Sequence, residues 1–148
     1  MNRRSAATLL LLNLLLTGCW SSDAPETIRV TGKITFAGAP VTTGFVTFSP
    51  ENFDAMPPPV RPATSLIQPD GTYALASFNP EDGVRPGSYL IAIISYERPP
   101  GPEDPGGGVA AIPRKYLNPH TSELKATIAA DGPKDLVMDF VLEGEKNK

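Results

Sequence analysis

Two residues of this chain are of reactive types and occur only once each, Cys19 and His120. Cys19 ends a leader in which Arg3 and Arg4 precede an apolar run over residues 6–16. A charged segment, an apolar segment and then small residues are typical of a secretory signal, and this run is too short to span a bilayer. The Cys19 thiol is a nucleophile that can be acylated. As the only cysteine it cannot form a disulfide within the chain.

The tetrapeptide Leu16-Thr17-Gly18-Cys19 resembles the lipobox of bacterial lipoproteins. The resemblance implies a diacylglyceryl group on the Cys19 sulfur, cleavage before Cys19 and acylation of the new amine. One acyl chain holds a protein on a membrane only marginally, whereas two or three hold it firmly, at about 0.8 kcal/mol for each buried methylene. We therefore expect a signal peptide over residues 1–18, a lipidated tether over 19–27, and a location in the bacterial cell envelope, facing the periplasm or the cell surface.

His120 lies in the loop sequence Asn118-Pro119-His120-Thr121, where it has no further histidine or cysteine beside it. A metal site usually gathers several such ligands. A catalytic triad could be composed from Ser122, His120 and Asp70, yet no G-x-S-x-G pattern frames a serine. The sequence therefore predicts no catalytic residue, no metal and no cofactor. A hydrolase assembled from loops stays open as a distant alternative.

Two kinds of ligand remain open from the residue types. Calcium binds carboxylates of loops, although no D-x-D-x-D spacing occurs among the acidic loop residues Asp70, Glu81, Asp82, Glu103 and Asp104. Carbohydrates stack on exposed aromatic rings, and three aromatic residues lie in or beside predicted loops: Phe53, Tyr96 and Tyr116.

Charge and composition narrow the class of protein. The formal net charge of −3 disfavours nucleic acid as a partner, and it also disfavours binding to an anionic membrane by charge alone. The chain of 148 residues contains 17 prolines and 13 glycines, which interrupt helices. We expect one domain without long helices.

Apolar and polar residues alternate along much of the chain, which predicts strands. Gly32 interrupts the inward positions of the first strand and indicates a bulge or a close crossing. The unbroken apolar row 90–94 predicts a central strand covered on both faces. Segments 51–62 and 97–113 are rich in proline or glycine and are predicted to be irregular loops. The predicted strands are 28–36, 44–49, 64–67, 72–77, 89–96, 123–130 and 136–143.

The turn and strand residues support a second resemblance. They resemble small lipoproteins of planctomycete-type bacteria, whose domain is similar to the transthyretin-like regulatory domain of carboxypeptidases. That family implies a Greek-key sandwich that acts as an accessory module without known catalysis. Hydroxyisourate hydrolases share the fold but need several histidines and a Tyr-Arg-Gly-Ser tail, which this chain lacks. The residues that carry the resemblance are Val30-x-Gly32-x-Ile34, Gly38-x-Pro40-Val41-x-x-Gly44-x-Val46-x-Phe48, Asp70-Gly71-x-Tyr73, Pro86-Gly87-x-Tyr89 and Ile112-Pro113-x-Lys115-Tyr116.

Taken together, the sequence predicts an all-β protein with an antiparallel Greek-key β-sandwich of about seven strands over residues 28–143 and a polar tail over 144–148. The expected function is that of a lipid-anchored, non-enzymatic structural or interaction module of the cell envelope. A carbohydrate- or calcium-binding module is the alternative. The expected partners are the membrane, through Cys19, and a polysaccharide or an envelope protein, with no nucleic acid.

Overall fold

The structure is a computed structural model that describes residues 25–145, so Cys19, the lipobox residues before it and residues 146–148 lie outside the described part. The described residues form strands and two short 3₁₀ turns, Phe53–Ala55 and Arg114–Leu117, which confirms the all-β class. No helix in this range is long and apolar enough to cross a bilayer. The strands are β1 (Arg29–Phe36), β2 (Ala39–Pro40), β3 (Phe45–Pro50), β4 (Ala63–Leu66), β5 (Thr72–Ala74), β6 (Gly87–Ile94), β7 (Tyr96–Arg98), β8 (Val109–Ala110), β9 (Lys125–Ile128), β10 (Asp135–Val137) and β11 (Phe140–Leu142).

The first sheet is built around β1. One edge of β1 pairs antiparallel with β5 and β2, and the other edge pairs parallel with β10 and β11. Thr31 has neighbours on both edges, since it lies opposite Val137 and also opposite Ala74. The parallel pairs differ from the antiparallel arrangement that the sequence predicted. Most of the chain lies between β1 and β10, so no tight turn joins them. Strands joined by such a long connection are free to pair in parallel.

The bend between β10 and β11 depends on Gly32. The carbonyl oxygen of Met138 turns toward Gly32, where a Cβ atom would lie only 1.8 Å from it. The ladder position that this bend leaves open is filled by the Asp139 carboxylate, which accepts a hydrogen bond from the Lys33 backbone N–H at 2.8 Å. The prediction that Gly32 marks a close approach of two backbones is confirmed.

The second sheet has the strand order β4-β3-β6-β9, with every pair antiparallel. Ile91, Ala92 and Ile93 of β6 are all buried, although successive side chains point to opposite faces. The predicted central strand, covered on both faces, is therefore confirmed. β7 and β8 form a separate two-stranded ribbon, which except for Tyr96 lies within the segment 97–113 that the sequence predicted to be irregular.

The two sheets share one hydrophobic core. Val30 and Ile34 contribute from the first sheet, and Phe48 and Ile91 from the second, all fully buried. The Phe48 ring lies 6.2 Å from the rings of both Tyr89 and Phe140, measured between centroids. Full burial of an apolar side chain of this size stabilises a fold by about 1.5–3 kcal/mol.

The strand predicted over 72–77 ends three residues early, at Ala74. After Leu75 the chain leaves β1, because the Ala76 N–H donates to the Thr64 carbonyl of β4 at 2.9 Å. The Asp82 carboxylate then accepts hydrogen bonds from the backbone N–H groups of Ser77 at 2.7 Å, Phe78 at 3.0 Å and Asn79 at 2.8 Å. Donors satisfied by a side chain are no longer available to a neighbouring strand.

Candidate functional site

A groove of about 370 Å³ lies at the end of the domain where β1 finishes and β7 begins. We call it the Tyr96 groove. Its volume is in the range of small-ligand sites, about 300–1,000 Å³. Its walls combine apolar side chains with four hydroxyl-bearing residues and one carboxylate. The lining residues are Phe36, Ala37, Ala39, Pro40, Val41, Thr42, Thr43, Ser95, Tyr96, Glu97, Ala111 and Ile112.

One wall of the Tyr96 groove is the hairpin of β1 and β2. Ala37 and Gly38 form its two-residue turn, and both have left-handed backbones, with φ of 51° and 78°. This pair of positive φ angles is that of a type I′ turn, which matches the twist of the strands on either side. The Val41 N–H donates to the Ile34 carbonyl at 2.9 Å and holds the chain beside β1 as it enters the loop with Thr42.

The opposite wall begins where β6 ends. Ser95 separates β6 from β7, and its carbonyl accepts a hydrogen bond from the Ala111 N–H at 3.0 Å, which attaches the segment after β8 to this wall. Gly44 lies so close to the end of β6 that an added Cβ would lie 2.1 Å from the Ile94 oxygen. The loop that carries Thr43 is therefore held by a backbone contact on each side, one at Val41 and one at Gly44.

The Ser95 hydroxyl in this wall is buried and has no hydrogen-bond partner among the described residues. Ser95 is only 1% exposed. An unsatisfied buried hydroxyl costs about 1–3 kcal/mol. Buried polar groups are otherwise nearly always paired, so an unpaired one in the wall of a groove suggests a role in binding.

A second, smaller depression of about 250 Å³ adjoins the Tyr96 groove and shares Tyr96 and Thr43 with it. Phe45, which is 50% exposed, lines this depression. In the sheet Phe45 lies opposite Leu66 on β4 and opposite Ile94 on β6, so the three apolar side chains form a row across three strands. The surface around Tyr96 is thus aromatic and apolar on one side and rich in hydroxyl groups on the other.

The three aromatic residues predicted as ligand contacts have different surroundings. Tyr96 is half-buried and lines the groove. Phe53 is 50% exposed on the first 3₁₀ turn and lines neither hollow. Tyr116 is 4% exposed, so the expectation of an exposed ring is wrong at this position. The second 3₁₀ turn directs it inward, and its hydroxyl donates to the Glu143 carbonyl at 3.1 Å.

Phe45 was not predicted from the sequence as a contact residue. The signal was present, because Val46 and Phe48 occupy the inward phase of β3 and leave Phe45 on the outward phase. A large apolar residue on the outward face of a strand is one pointer to an interaction surface.

Two residues of the hypothetical triad, Ser122 and Asp70, have side chains engaged in local structure, and His120 is exposed. The buried Ser122 hydroxyl donates to the Ile91 carbonyl and accepts from the Leu124 N–H at 3.2 Å. The Asp70 carboxylate accepts from the Thr72 hydroxyl at 2.6 Å and from its backbone N–H at 3.0 Å. These bonds hold the pKa of Asp70 below its usual value. The described residues contain no group of three or more histidine, cysteine and carboxylate side chains that could hold a metal ion.

Comparisons with known proteins identify no family for this chain. No protein-family model matches it, and no curated protein matches it. Among solved structures it is similar to a 9R-lipoxygenase from Cyanothece PCC8801, with 10% sequence identity and a TM-score of 0.40. That alignment covers 79% of this chain but only 16% of the lipoxygenase chain.

Proposed function

We propose that this chain is a lipid-anchored protein of the bacterial cell envelope whose β-domain is a non-enzymatic interaction module. The observation that carries the proposal is the direction of β1. β1 begins ten residues after Cys19 in the sequence and ends at the Tyr96 groove. We expect a lipid on Cys19 to lie nearer to the start of β1 than to its end, with the groove at the far end of the domain.

The size of this separation follows from strand geometry. β1 contains eight residues, and a strand rises about 3.3 Å per residue, so its two ends are roughly 25 Å apart. The start of β1 is fixed on both sides. Ile28 exchanges backbone hydrogen bonds with Val84, at 2.8 and 2.9 Å, and the carboxylate of Glu26 pairs with Lys134. A membrane surface at this end would face away from Tyr96.

For the fold itself we propose a Greek-key sandwich of the transthyretin-like type. The supporting observation is the path of the chain between two sheets that share a core. The chain passes from β1 in the first sheet to β3 and β4 in the second, returns for β5, enters the second sheet again for β6 and β9, and ends in the first with β10 and β11.

The non-enzymatic character rests on what the reactive side chains do. The Ser122 hydroxyl is buried and donates a hydrogen bond to the backbone of β6, so it is unsuited to act as a nucleophile. Calcium binding finds no specific support in the carboxylates, since Asp70 and Asp82 accept hydrogen bonds from nearby N–H groups. Binding of a ligand in the Tyr96 groove is the second function that a specific observation favours, namely the unpaired Ser95 hydroxyl.

The orientation can be tested by labelling new cysteines in the membrane-bound protein. Thr43→Cys places a thiol at the groove, and Glu26→Cys places one beside the tether. Both positions are on the surface, and a lipidated Cys19 has no free thiol to react. We expect a bulky maleimide reagent to label position 43 at least about tenfold faster than position 26 when the protein is on the membrane.

The matched control is the same pair of variants in the protein extracted with detergent, where both thiols should react at similar rates. Equal rates on the membrane, or faster reaction at position 26, would contradict the proposed orientation.

A further inference from the structure

Two aromatic side chains line the same depression of the surface. Tyr96 borders both the Tyr96 groove and the adjoining depression, and Phe45 borders the depression. One face of a pyranose ring consists of C–H groups that pack against an aromatic ring, while hydroxyl groups project from its edge. Two adjacent aromatic side chains therefore suit two consecutive sugar units of one chain.

The polar groups of the groove favour a ligand that is rich in hydroxyl groups and has no negative charge. Thr42, Thr43 and Tyr96 offer hydroxyls that both donate and accept hydrogen bonds. None of the residues that line the groove, all of them in the described part of the chain, is a lysine, arginine or histidine. Proteins bind carboxylates and phosphates mainly through such cations, so an anionic ligand has no counterpart here.

The unpaired Ser95 hydroxyl is an independent observation that points to a polar ligand. It is buried in the wall, and the protein gives it no partner within residues 25–145. Ser122, the other buried serine, has a full set of backbone partners. The Ser95 hydroxyl is closed to solvent, so a ligand hydroxyl would supply its missing partner once the serine side chain turns toward the groove.

We infer that the Tyr96 groove binds a neutral polysaccharide through at least two consecutive sugar units, one packed on Tyr96 and the next on Phe45. This inference rests on the proposed interaction function and names its ligand class. The attachment of the domain to a membrane has no part in the contact, so the two proposals can fail separately.

The test is binding of defined oligosaccharides to the full mature protein in detergent, measured by saturation-transfer NMR and calorimetry. The probes are cellotriose, xylotriose and tri-N-acetylchitotriose as neutral sugars, with trigalacturonate as an anionic sugar and a proline-rich peptide as a non-sugar. At least one neutral trisaccharide should bind with a Kd of about 1 mM or lower, and at least about fivefold more tightly than its monosaccharide.

Three variants decide where the sugar binds. Tyr96→Ala should weaken binding of the trisaccharide about tenfold, whereas Tyr96→Phe, which keeps the ring, should change it less than about twofold. Phe45→Ala should weaken the trisaccharide but leave the monosaccharide unchanged. It removes an exposed side chain, so it remains usable if Tyr96→Ala does not fold. Phe53→Ala is the control, since Phe53 is equally exposed but lies outside both hollows.

The inference is overturned if no neutral trisaccharide binds. It is also overturned if only trigalacturonate or the peptide binds, or if Phe53→Ala weakens binding as much as Tyr96→Ala.

Discussion

The hydroxyl group of Tyr73 donates a hydrogen bond of 2.7 Å to the carbonyl oxygen of Met138. These two residues belong to opposite edges of the first sheet, because Tyr73 lies on β5 and Met138 lies between β10 and β11. The bond passes over Gly32 of β1, against which the Tyr73 ring and the Met138 carbonyl both pack. The two edges of this sheet are thus tied together across β1, at a residue without a side chain.

Replacing Gly32 by alanine should destabilise the domain by about 3 kcal/mol or more. The new Cβ would lie 1.8 Å from the Met138 oxygen, a backbone atom that cannot move without shifting β10 and β11. Chemical denaturation measures the change. Gly106→Ala is the control, because nothing lies within 4 Å of that position. Equal stability of the two variants would contradict the close approach at Gly32.

Stability should fall at alkaline pH because burial raises the pKa of two tyrosines. Burial raises the pKa of Tyr89 to about 12, against a weaker lowering by Arg85, and it raises the pKa of Tyr73 further still, with Asp139 adding to the rise. In the unfolded chain both ionise near pH 10. The contribution of these tyrosines is therefore fully present below pH 10 and is lost as the pH rises through 12.

Urea unfolding between pH 8 and pH 11.5 should show this loss, with a slope of up to about 1.4 kcal/mol per pH unit for each tyrosine above pH 10. In Tyr89→Phe the slope above pH 10 should be smaller by about the contribution of one tyrosine. This should hold whatever the variant does to stability at neutral pH. A slope that stays the same in Tyr89→Phe would show that Tyr89 is not the group concerned.

The two buried serines should respond to alanine in opposite ways. Ser95→Ala removes a hydroxyl without a partner and should leave stability unchanged or raise it by up to about 1 kcal/mol. Ser122→Ala leaves the Ile91 carbonyl and the Leu124 N–H without their side-chain partner and should cost about 1–3 kcal/mol. Thermal unfolding of both variants under one condition measures the difference. A loss on Ser95→Ala as large as on Ser122→Ala would mean that Ser95 has a structural partner.

Removal of the Arg85 guanidinium should release the proline-rich loop after the first 3₁₀ turn. Arg85 donates to the Pro59 carbonyl at 2.9 Å and also to that of Pro57. In Arg85→Met, limited proteolysis should therefore cut within residues 54–62 several times faster. Arg29→Met is a suitable control, because Arg29 makes only an exposed ion pair with Glu81, at 3.6 Å. Such pairs contribute about 0–1 kcal/mol. Unchanged cleavage in Arg85→Met would show that the two carbonyl bonds do not hold the loop.

The sequence predicted most of the strands because each has a regular alternation or an unbroken apolar run. It also predicted the close approach at Gly32, since a glycine at an inward strand position often marks a bulge or a place where another backbone comes near. The parallel pairing of β1 with β10 and β11 had no local signal, because residues far apart in the chain decide it. The early end of β5 had no local signal either, because Ala76 pairs with Thr64 of the second sheet and Asp82 holds the donors that follow.

The candidate site was predicted only in part, through Tyr96. The groove forms where a hairpin turn, the end of β6 and the segment after β8 meet, and none of these contacts is visible in local spacing. Tyr116 shows the converse error, since its loop context suggested exposure while the 3₁₀ turn buries it.

We propose that a lipid on Cys19 attaches this protein to the membrane. Intact mass spectrometry tests this on the full chain, produced in a bacterium that processes lipoproteins and extracted from its membranes. We predict a polypeptide that begins at Cys19, lacks residues 1–18 and has the added mass of a diacylglyceryl group, with or without a further acyl chain. A protein that keeps residues 1–18, or that has a free thiol at Cys19, would contradict the account.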